Sequence, residues 1–359
     1  MKILGIESSC DETAASVVED GTRLLSNVVH TQIDIHAEYG GVVPEIAARS
    51  HIEVVNPVIK HALDEAQLTW DDIDAIAVTY APGLVGSLLV GTLAARTIAL
   101  LKHKPLYPIH HVEAHVYANF ITQQADTLSL TLPNRQPEFP MLALIVSGGH
   151  SQLALFRDHG DYELLGQTQD DAVGEAFDKV AKIIGLPYPG GPSIANAALQ
   201  GDPKRYQLPK AKLSGEYDFS FSGLKTAVLR AVQREVGVDF TFPSHELPAL
   251  VNDVQRADFA ASFQSIAVET LVDKAQRAYR DYAPKSVVIA GGVAANQELR
   301  RQLSERLPLD IQYAPMQLCT DNAAMIATLG YYYAQKNHPT SPLELEVIPS
   351  LSMTKTAWA

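Results

Sequence analysis

The chain of 359 residues is 47 % hydrophobic and 19 % charged, a globular composition with length for two domains, which excludes a disordered or fibrous protein. Its net charge of −13 excludes broad nucleic-acid binding driven by bulk charge, leaving a local basic patch or a basic partner as routes to such a ligand. Two cysteines, Cys10 and Cys319, exclude a disulfide framework and read as free thiols in a reducing compartment.

Met1 leads straight into a predicted strand over Lys2–Glu7 with no signal-peptide arrangement before it, and the longest apolar runs, 142–146 and 287–290, are strand-length. A soluble, cytoplasmic protein is expected. A polar turn over 7–13 separates this strand from a second over 14–19. Asp20-Gly21 then turns the chain into a third over 24–31. The 7–13 turn reads either as a solvated acidic hairpin tip or as a place where backbone N–H groups meet an anion. After the break at Gly40-Gly41 a helix is predicted over about 45–63, with His51 counted in its apolar spacing. A strand over 73–79 and a small-residue helix from Gly86 to about Leu101 follow. The glycines there serve close packing or an anion site, without the Lys-Ser/Thr of a Walker motif.

A short strand over 106–109 delivers a helix carrying His111 and His115. Four residues apart, they stand on one helix face, where two imidazoles hold one divalent metal or simply pack. Residues 122–140 read as an exposed loop. Then the opening pattern recurs: strand Met141–Val146, the turn Ser147-Gly148-Gly149-His150-Ser151, and a returning strand over 152–156. This repetition suggests two related halves facing each other across a cleft. Asp178 falls in a helix over 174–182, where an Asp–Lys solvated face is the plain reading. Lys204, Arg205, Lys210 and Lys212 form the clearest basic cluster, either an ordinary solvated loop or a phosphate contact. A helix over 257–279, a strand Ser286–Ala290 running into Gly291-Gly292, and a helix Gln297–Arg306 come next. Asp321 reads either as the cap of a helix reaching Tyr333 or as the carboxylate of a two-histidine, one-carboxylate metal site.

Eight motifs occur in order: GIESSCDET (5–13), HVEAH (111–115), VSGGH (146–150), GEAFDK (174–179), YPGGP (188–192), FSGLK (221–225), GGVAAN (291–296) and TDN (320–322). Together they resemble the tRNA N6-adenosine threonylcarbamoyltransferase family, bacterial branch, formerly described as O-sialoglycoprotein endopeptidases. The resemblance covers about residues 1–335. It implies an α/β protein of the actin/Hsp70/sugar-kinase (ASKHA) fold, two RNase H-like domains with a nucleotide cleft between them. The implied division is 1–120, with a helix from about 321–336 returning to it, then 141–320, then a peripheral tail over 337–359. The implied activity is transfer of threonylcarbamoyl from threonylcarbamoyl-AMP to N6 of adenosine 37 in tRNAs reading codons that begin with A. By motif, His111, His115 and Asp321 would hold one divalent metal per subunit, iron ahead of zinc. Ile145, Val146, Ser147, Gly148, Gly149, Asp178, Gly191 and Asn296 would bind the adenylate, with ATP or ADP also able to occupy the cleft. Asp11 and Glu12 would be the catalytic acids. Where some members carry an acidic residue, this chain has Ala195. Implied partners are tRNA, an inactive paralogue of the same fold (TsaB-like) and a small ATPase (TsaE-like), with no membrane. The rivals are a zinc-dependent glycopeptidase, although Glu113 lies between the histidines rather than directly after the first, and a non-catalytic nucleotide-binding scaffold.

Overall fold

Asp20 and Gly21, both at positive φ (52° and 67°), make the tight reversal that their sequence suggests. They join strand β2 (Glu12–Glu19) to β3 (Arg23–Thr31), and β2 also pairs antiparallel with β1 (Lys2–Glu7). The computed structural model describes residues 1–355. Helix α1 (Ile33–Ala37) and the long α2 (Pro44–Glu65) follow. Then β4 (Ala75–Ala81), α3 (Val85–Lys102) and β5 (Leu106–His110) complete a half-unit, with β4 parallel to β1 and β5 parallel to β4. Helix α4 (His111–Tyr117) and the two-residue β6 (Gln123–Gln124) lead into the irregular segment before Met141.

The second half repeats the plan. Strands β7 (Met141–Val146), β8 (Ser151–Asp158) and β9 (Asp161–Gln167) form the antiparallel meander. Helices α5 (Val173–Ile184), α6 (Gly190–Ala198), α7 (Ser222–Glu235) and α8 (Asp253–Tyr282) intervene. Then β10 (Ser286–Ala290), α9 (Gln297–Arg306) and β11 (Ile311–Tyr313) supply the two parallel strands. Helices α10 (Met316–Cys319) and α11 (Ala323–Lys336) end the regular structure. The sheet orders are β5-β4-β1-β2-β3-β6 and β11-β10-β7-β8-β9. Apart from β6, one order is the other repeated, which is the predicted duplication expressed as topology.

Strands β1, β4 and β7 have no exposed residue because helices cover both of their faces. On β1, Leu4 and Ile6 face a core shared with Val55, Ile59 and Ala95 of α2 and α3. Ile3 faces the core that contains Ala324, Ala327 and Leu329 of α11. Gly5 makes the α11 approach possible, since a Cβ there would meet Ala323 O at 2.3 Å and Ala327 N at 2.8 Å. Thus a helix from the far end of the chain starts directly over the end of β1.

Helix α3 is long and apolar enough to cross a membrane by length and composition, which the reading of short apolar runs overlooked. In the fold it packs on α2 and β4 through Ser87, Leu88, Gly91, Thr92, Ala95 and Ala99. Val85, Leu89, Leu93 and Leu100 remain exposed along its other side.

The segment after Asn337, expected to be peripheral, is bonded along its length; the expectation for 356–359 lies outside the described residues. Thr340 N–H donates to Leu106 O, Ile348 N–H to Tyr80 O, and Gly83 N–H to Pro349 O. Leu345 and Met353 are buried, and Tyr162 of β9 donates its hydroxyl to Met353 O at 2.6 Å. One strap therefore ties the first half to the second.

Candidate metal centre

Strand β5 ends at His110, whose buried side chain caps α4 by accepting from Glu113 N–H while Nε2 donates to Leu351 O. Burial pushes His110 down to about 3, so it serves this role neutral. The cap starts the helix at His111. His111 and His115 then project from adjacent turns, ring centroids 4.8 Å apart and nearly perpendicular. Both are buried, at 7 % and 1 % exposure.

Asp321 reaches them from the start of α11. The cap reading of Asp321 fails by one residue: Asn322 is the cap, its Oδ1 accepting from Met325 N–H at 3.0 Å. Asp321 Oδ1 lies 3.5 Å from His111 Nε2 and 3.3 Å from His115 Nε2. Ligand atoms of the three residues lie within 4.8 Å of one another. Donors bonded at about 2.0–2.1 Å to one tetrahedral ion stand about 3.3–3.4 Å apart, so the two carboxylate–imidazole separations suit one divalent metal. Neither nitrogen of His115 has a hydrogen-bond partner among the described residues, although both are buried. Burial opposes a charge on His111, yet the Glu7 and Asp321 carboxylates at its two ring nitrogens raise it to about 9. His111 and His115 in turn hold Asp321 below the usual carboxylate range against burial. The pocket thus favours positive charge where the three donors meet, and the residues fit a metal. Asp321 keeps 21 % of its side chain exposed, leaving the group approachable from that side.

Glu113 is buried on another side of α4, its Oε2 3.5 Å from the Tyr162 hydroxyl, and is not among the grouped donors. This disfavours the peptidase reading of the helix.

The acid turn adjoins this centre. Burial raises Glu12 well above its ordinary value, and the Asp321 and Asp11 charges beside it add to the rise. His51, counted above as part of an apolar stripe, in fact clasps the turn. Its Nε2 donates to Cys10 O at 2.9 Å and its Nδ1 accepts from the Thr13 hydroxyl at 2.7 Å. Burial and neighbouring acids push the Cys10 thiol far up, so it is no nucleophile.

The other sequence-predicted residues lie in the second half. Ile145 and Val146 end β7, fully buried. Ser147 closes the turn with His150: its N–H donates to His150 O (2.8 Å) and its Oγ accepts from His150 N–H (3.2 Å). An added Cβ at Gly148, Gly149 or Gly191 would meet nothing within 4 Å, so backbone faces open space at all three. Gly291, at φ +88°, admits no side chain, for a Cβ would lie 2.4 Å from Val146 O. Asp178 Oδ1 accepts from Gly190 N–H at 2.7 Å, fixing the start of α6. Burial raises its carboxyl, and Asp11 of the first half contributes. Asn296 is more committed than expected: Oδ1 caps α9 at Leu299 N–H, and Nδ2 bonds Gln264 Oε1 at 2.9 Å. In the basic cluster, Lys210 is held by Glu269 and Asp273, both at 2.8 Å, and Arg205 leans toward Glu235.

Sequence reasoning missed Glu7 as a contact of the centre. It lies 3.0 Å from His111 Nδ1, and its one signal was an acidic residue ending an otherwise apolar strand.

The TsaD family model, described as tRNA N6-adenosine threonylcarbamoyltransferase, matches residues 23–328. The chain belongs to that family. The tRNA N6-adenosine threonylcarbamoyltransferase of Thermomicrobium roseum is 51 % identical over 97 % of this chain and 95 % of its own. That of Dehalococcoides mccartyi is 50 % identical over 99 % of this chain and all of its own. Among solved structures, HypF of T. kodakarensis aligns with a TM-score of 0.58 at 15 % identity, over 93 % of this chain and 48 % of that one. An activator of 2-hydroxyisocaproyl-CoA dehydratase from Clostridium difficile, with bound ADPNP, aligns at 0.50 and 14 % identity, over 98 % of this chain and all of that one. These likenesses concern the fold, which is the ASKHA fold of this threonylcarbamoyltransferase family.

Proposed function

We propose that this protein transfers the threonylcarbamoyl group from threonylcarbamoyl-AMP to N6 of adenosine 37 in tRNAs reading codons that begin with A. The observation that carries the reading is the meeting of His111, His115 and Asp321 beside the Asp11–Glu12 turn, in a chain of this family.

His111, His115 and Asp321 would hold one divalent ion, iron ahead of zinc, which supplies Lewis-acid polarisation of the threonylcarbamoyl group. The adenosine N6 is a weak nucleophile because its lone pair is shared with the ring. Asp11 or Glu12 would accept its proton as the new C–N bond forms, or orient it. The leaving AMP would rest on the 145–149 turn, where the open space beside Gly148 and Gly149 would let phosphate approach the backbone. Asp178 keeps Oδ2 for a ribose hydroxyl after Oδ1 is spent on Gly190. Gly191 would let the nucleoside lie against backbone, and Asn296 would line the site chiefly by holding α9. ATP or ADP would fit the same cleft.

In this reading residues 1–120 with α11 form one lobe and 141–320 the other, and the protein works in the cytoplasm. An acidic chain in which Lys210 of the main basic cluster is already paired with Glu269 and Asp273 supports help in tRNA capture from a paralogue of the same fold and a small ATPase. The exposed Val85, Leu89 and Leu93 of α3 support a protein partner in general.

The test uses metal analysis of purified protein and mass spectrometry of tRNA nucleosides after incubation with pre-made threonylcarbamoyl-AMP. His111→Ala is expected to bind the metal more weakly through the two donors left and to slow transfer about a hundredfold or more, since Lewis-acid stabilisation is worth several kcal/mol. Near-normal transfer by a metal-free variant would remove the metal from the reaction.

A further inference from the structure

Glu7 is completely buried, an acidic side chain at the end of a strand that is otherwise apolar. A carboxylate out of water is tolerable only when donors surround it. Three do. Ser9 N–H reaches Oε1 at 2.5 Å, the Thr79 hydroxyl of β4 reaches Oε2 at 2.5 Å, and His111 Nδ1 lies 3.0 Å from Oε2. An ionised carboxylate only accepts, so the proton between Glu7 and His111 belongs to Nδ1. When a metal takes the place of the proton on Nε2, the ring is neutral and its lone pair lies on that nitrogen, the one that faces Asp321 Oδ1. The Ser9 hydroxyl, 3.2 Å from the same Nδ1, is a weaker neighbour without charge. His115 has no such partner at its Nδ1 among the described residues. The two histidines are therefore unequal: one is oriented from behind, the other only by packing.

We infer that Glu7, braced by Thr79, is the positioning residue of the metal centre, fixing the tautomer and ring angle of His111 and strengthening it as a ligand. The inference rests on the metal reading above. Carboxylates placed behind a ligating imidazole typically account for 10–100-fold in metal affinity.

The experiment measures Zn2+ affinity of the full chain by competition with a chromophoric chelator, and records the visible spectrum of the Co2+-loaded protein. Wild type, Glu7→Gln, Thr79→Val, His111→Ala and the Glu7→Gln/His111→Ala double variant are compared. Glu7→Gln is expected to bind Zn2+ about 10–100-fold more weakly and to shift the Co2+ bands, with an unchanged far-UV spectrum. Thr79→Val, which leaves the carboxylate in place, should show a smaller loss in the same direction and reports on the brace even if Glu7→Gln does not fold. In the His111→Ala background the Glu7 change should cost nothing further, because its route to the ion is gone. A merely structural Glu7 would weaken both backgrounds equally, and that result overturns the inference. Wild-type affinity in both Glu7→Gln and Thr79→Val overturns it too. A wild-type protein that binds no divalent metal sinks the metal reading and this inference together, whereas metal binding indifferent to Glu7 sinks this one alone.

Discussion

His111 and His115 were legible as a pair because a helix repeats its face every three to four residues, and that local rule needs no tertiary information. Their candidate third partner, 206 positions beyond His115, was legible only as one of two readings of Asp321 until the family motif favoured it, since no spacing rule links residues so far apart. Glu7 and His51 were illegible for a related reason. Each is a polar residue inside an apolar periodicity, and only the fold reveals which donor or acceptor satisfies it. His51 offers a sharp test. It bonds the backbone at Cys10 and the hydroxyl of Thr13, on either side of Asp11 and Glu12, and touches none of the three metal donors. His51→Phe keeps the bulk and removes both bonds. Transfer is expected to fall about 10–100-fold because displacement of a reacting group by about 1 Å costs that much, while metal content stays at the wild-type level. Parallel loss of metal and activity would show instead that the turn and the metal centre are one structural unit.

At the scale of elements, strands and long helices announce themselves: the opening meander of the first half and the first two strands of the second were read to within about two residues. The short α1, β6, β11 and α10 were not, and neither were three longer elements. Strand β9 alternates exposed and half-buried residues at a sheet edge, α6 begins in a glycine-proline run, and α7 starts at Ser222 inside the glycine-containing FSGLK motif. Each depends on a neighbour rather than on its own pattern: α6 on the Asp178 carboxyl that receives Gly190 N–H, and α7 on Asp170, which accepts from Phe221 and Ser222 N–H. The contact that matters most for the site is equally non-local. Gly5 lets α11 rest on β1, and Asp321 stands two residues before the Ala323 carbonyl that a Gly5 side chain would strike. Gly5→Ala should therefore push the start of α11 outward. A loss of about 1–3 kcal/mol, the usual cost of overpacking, is expected in denaturant unfolding. Weakened metal binding should accompany it, because the carboxylate moves while both histidines stay. Unchanged affinity in a destabilised variant would mean that α11 yields elsewhere along its length.

The duplication visible as two strand–turn–strand patterns became two sheets of one strand order, so the architecture was the most legible level of all. What joins the halves was not. The strap after Asn337 carries little periodicity, yet it buries Leu345 and Met353 and receives the Tyr162 hydroxyl. Deleting residues 338–359 should cost about 1.5–3 kcal/mol for each of those two side chains. Tyr162→Phe should cost about 1 kcal/mol, chiefly by the loss of the hydrogen bond to Met353 O, both read from denaturant midpoints. A second junction is aromatic. His159, in the turn between β8 and β9, stacks on Tyr332 of α11 with centroids 3.8 Å apart, and its Nδ1 lies 3.2 Å from the Tyr117 hydroxyl of α4. Burial pushes this imidazole down to about 4, with Lys336 beside it helping and Asp158 opposing. An unfolded histidine titrates near about 6.5. The unfolded chain therefore takes up a proton between those values that the folded chain refuses, and stability is full above about 6.5 and falls as the pH drops toward 4. His51, lowered in the same way by burial, acts in the same direction. Thermal unfolding followed from pH 7.5 to 5 should thus show a falling midpoint. His159→Phe, which keeps a ring against Tyr332 but has nothing to protonate, should flatten that fall by up to one proton per molecule. Parallel curves for the two proteins would place the acid sensitivity elsewhere and leave this junction indifferent to pH.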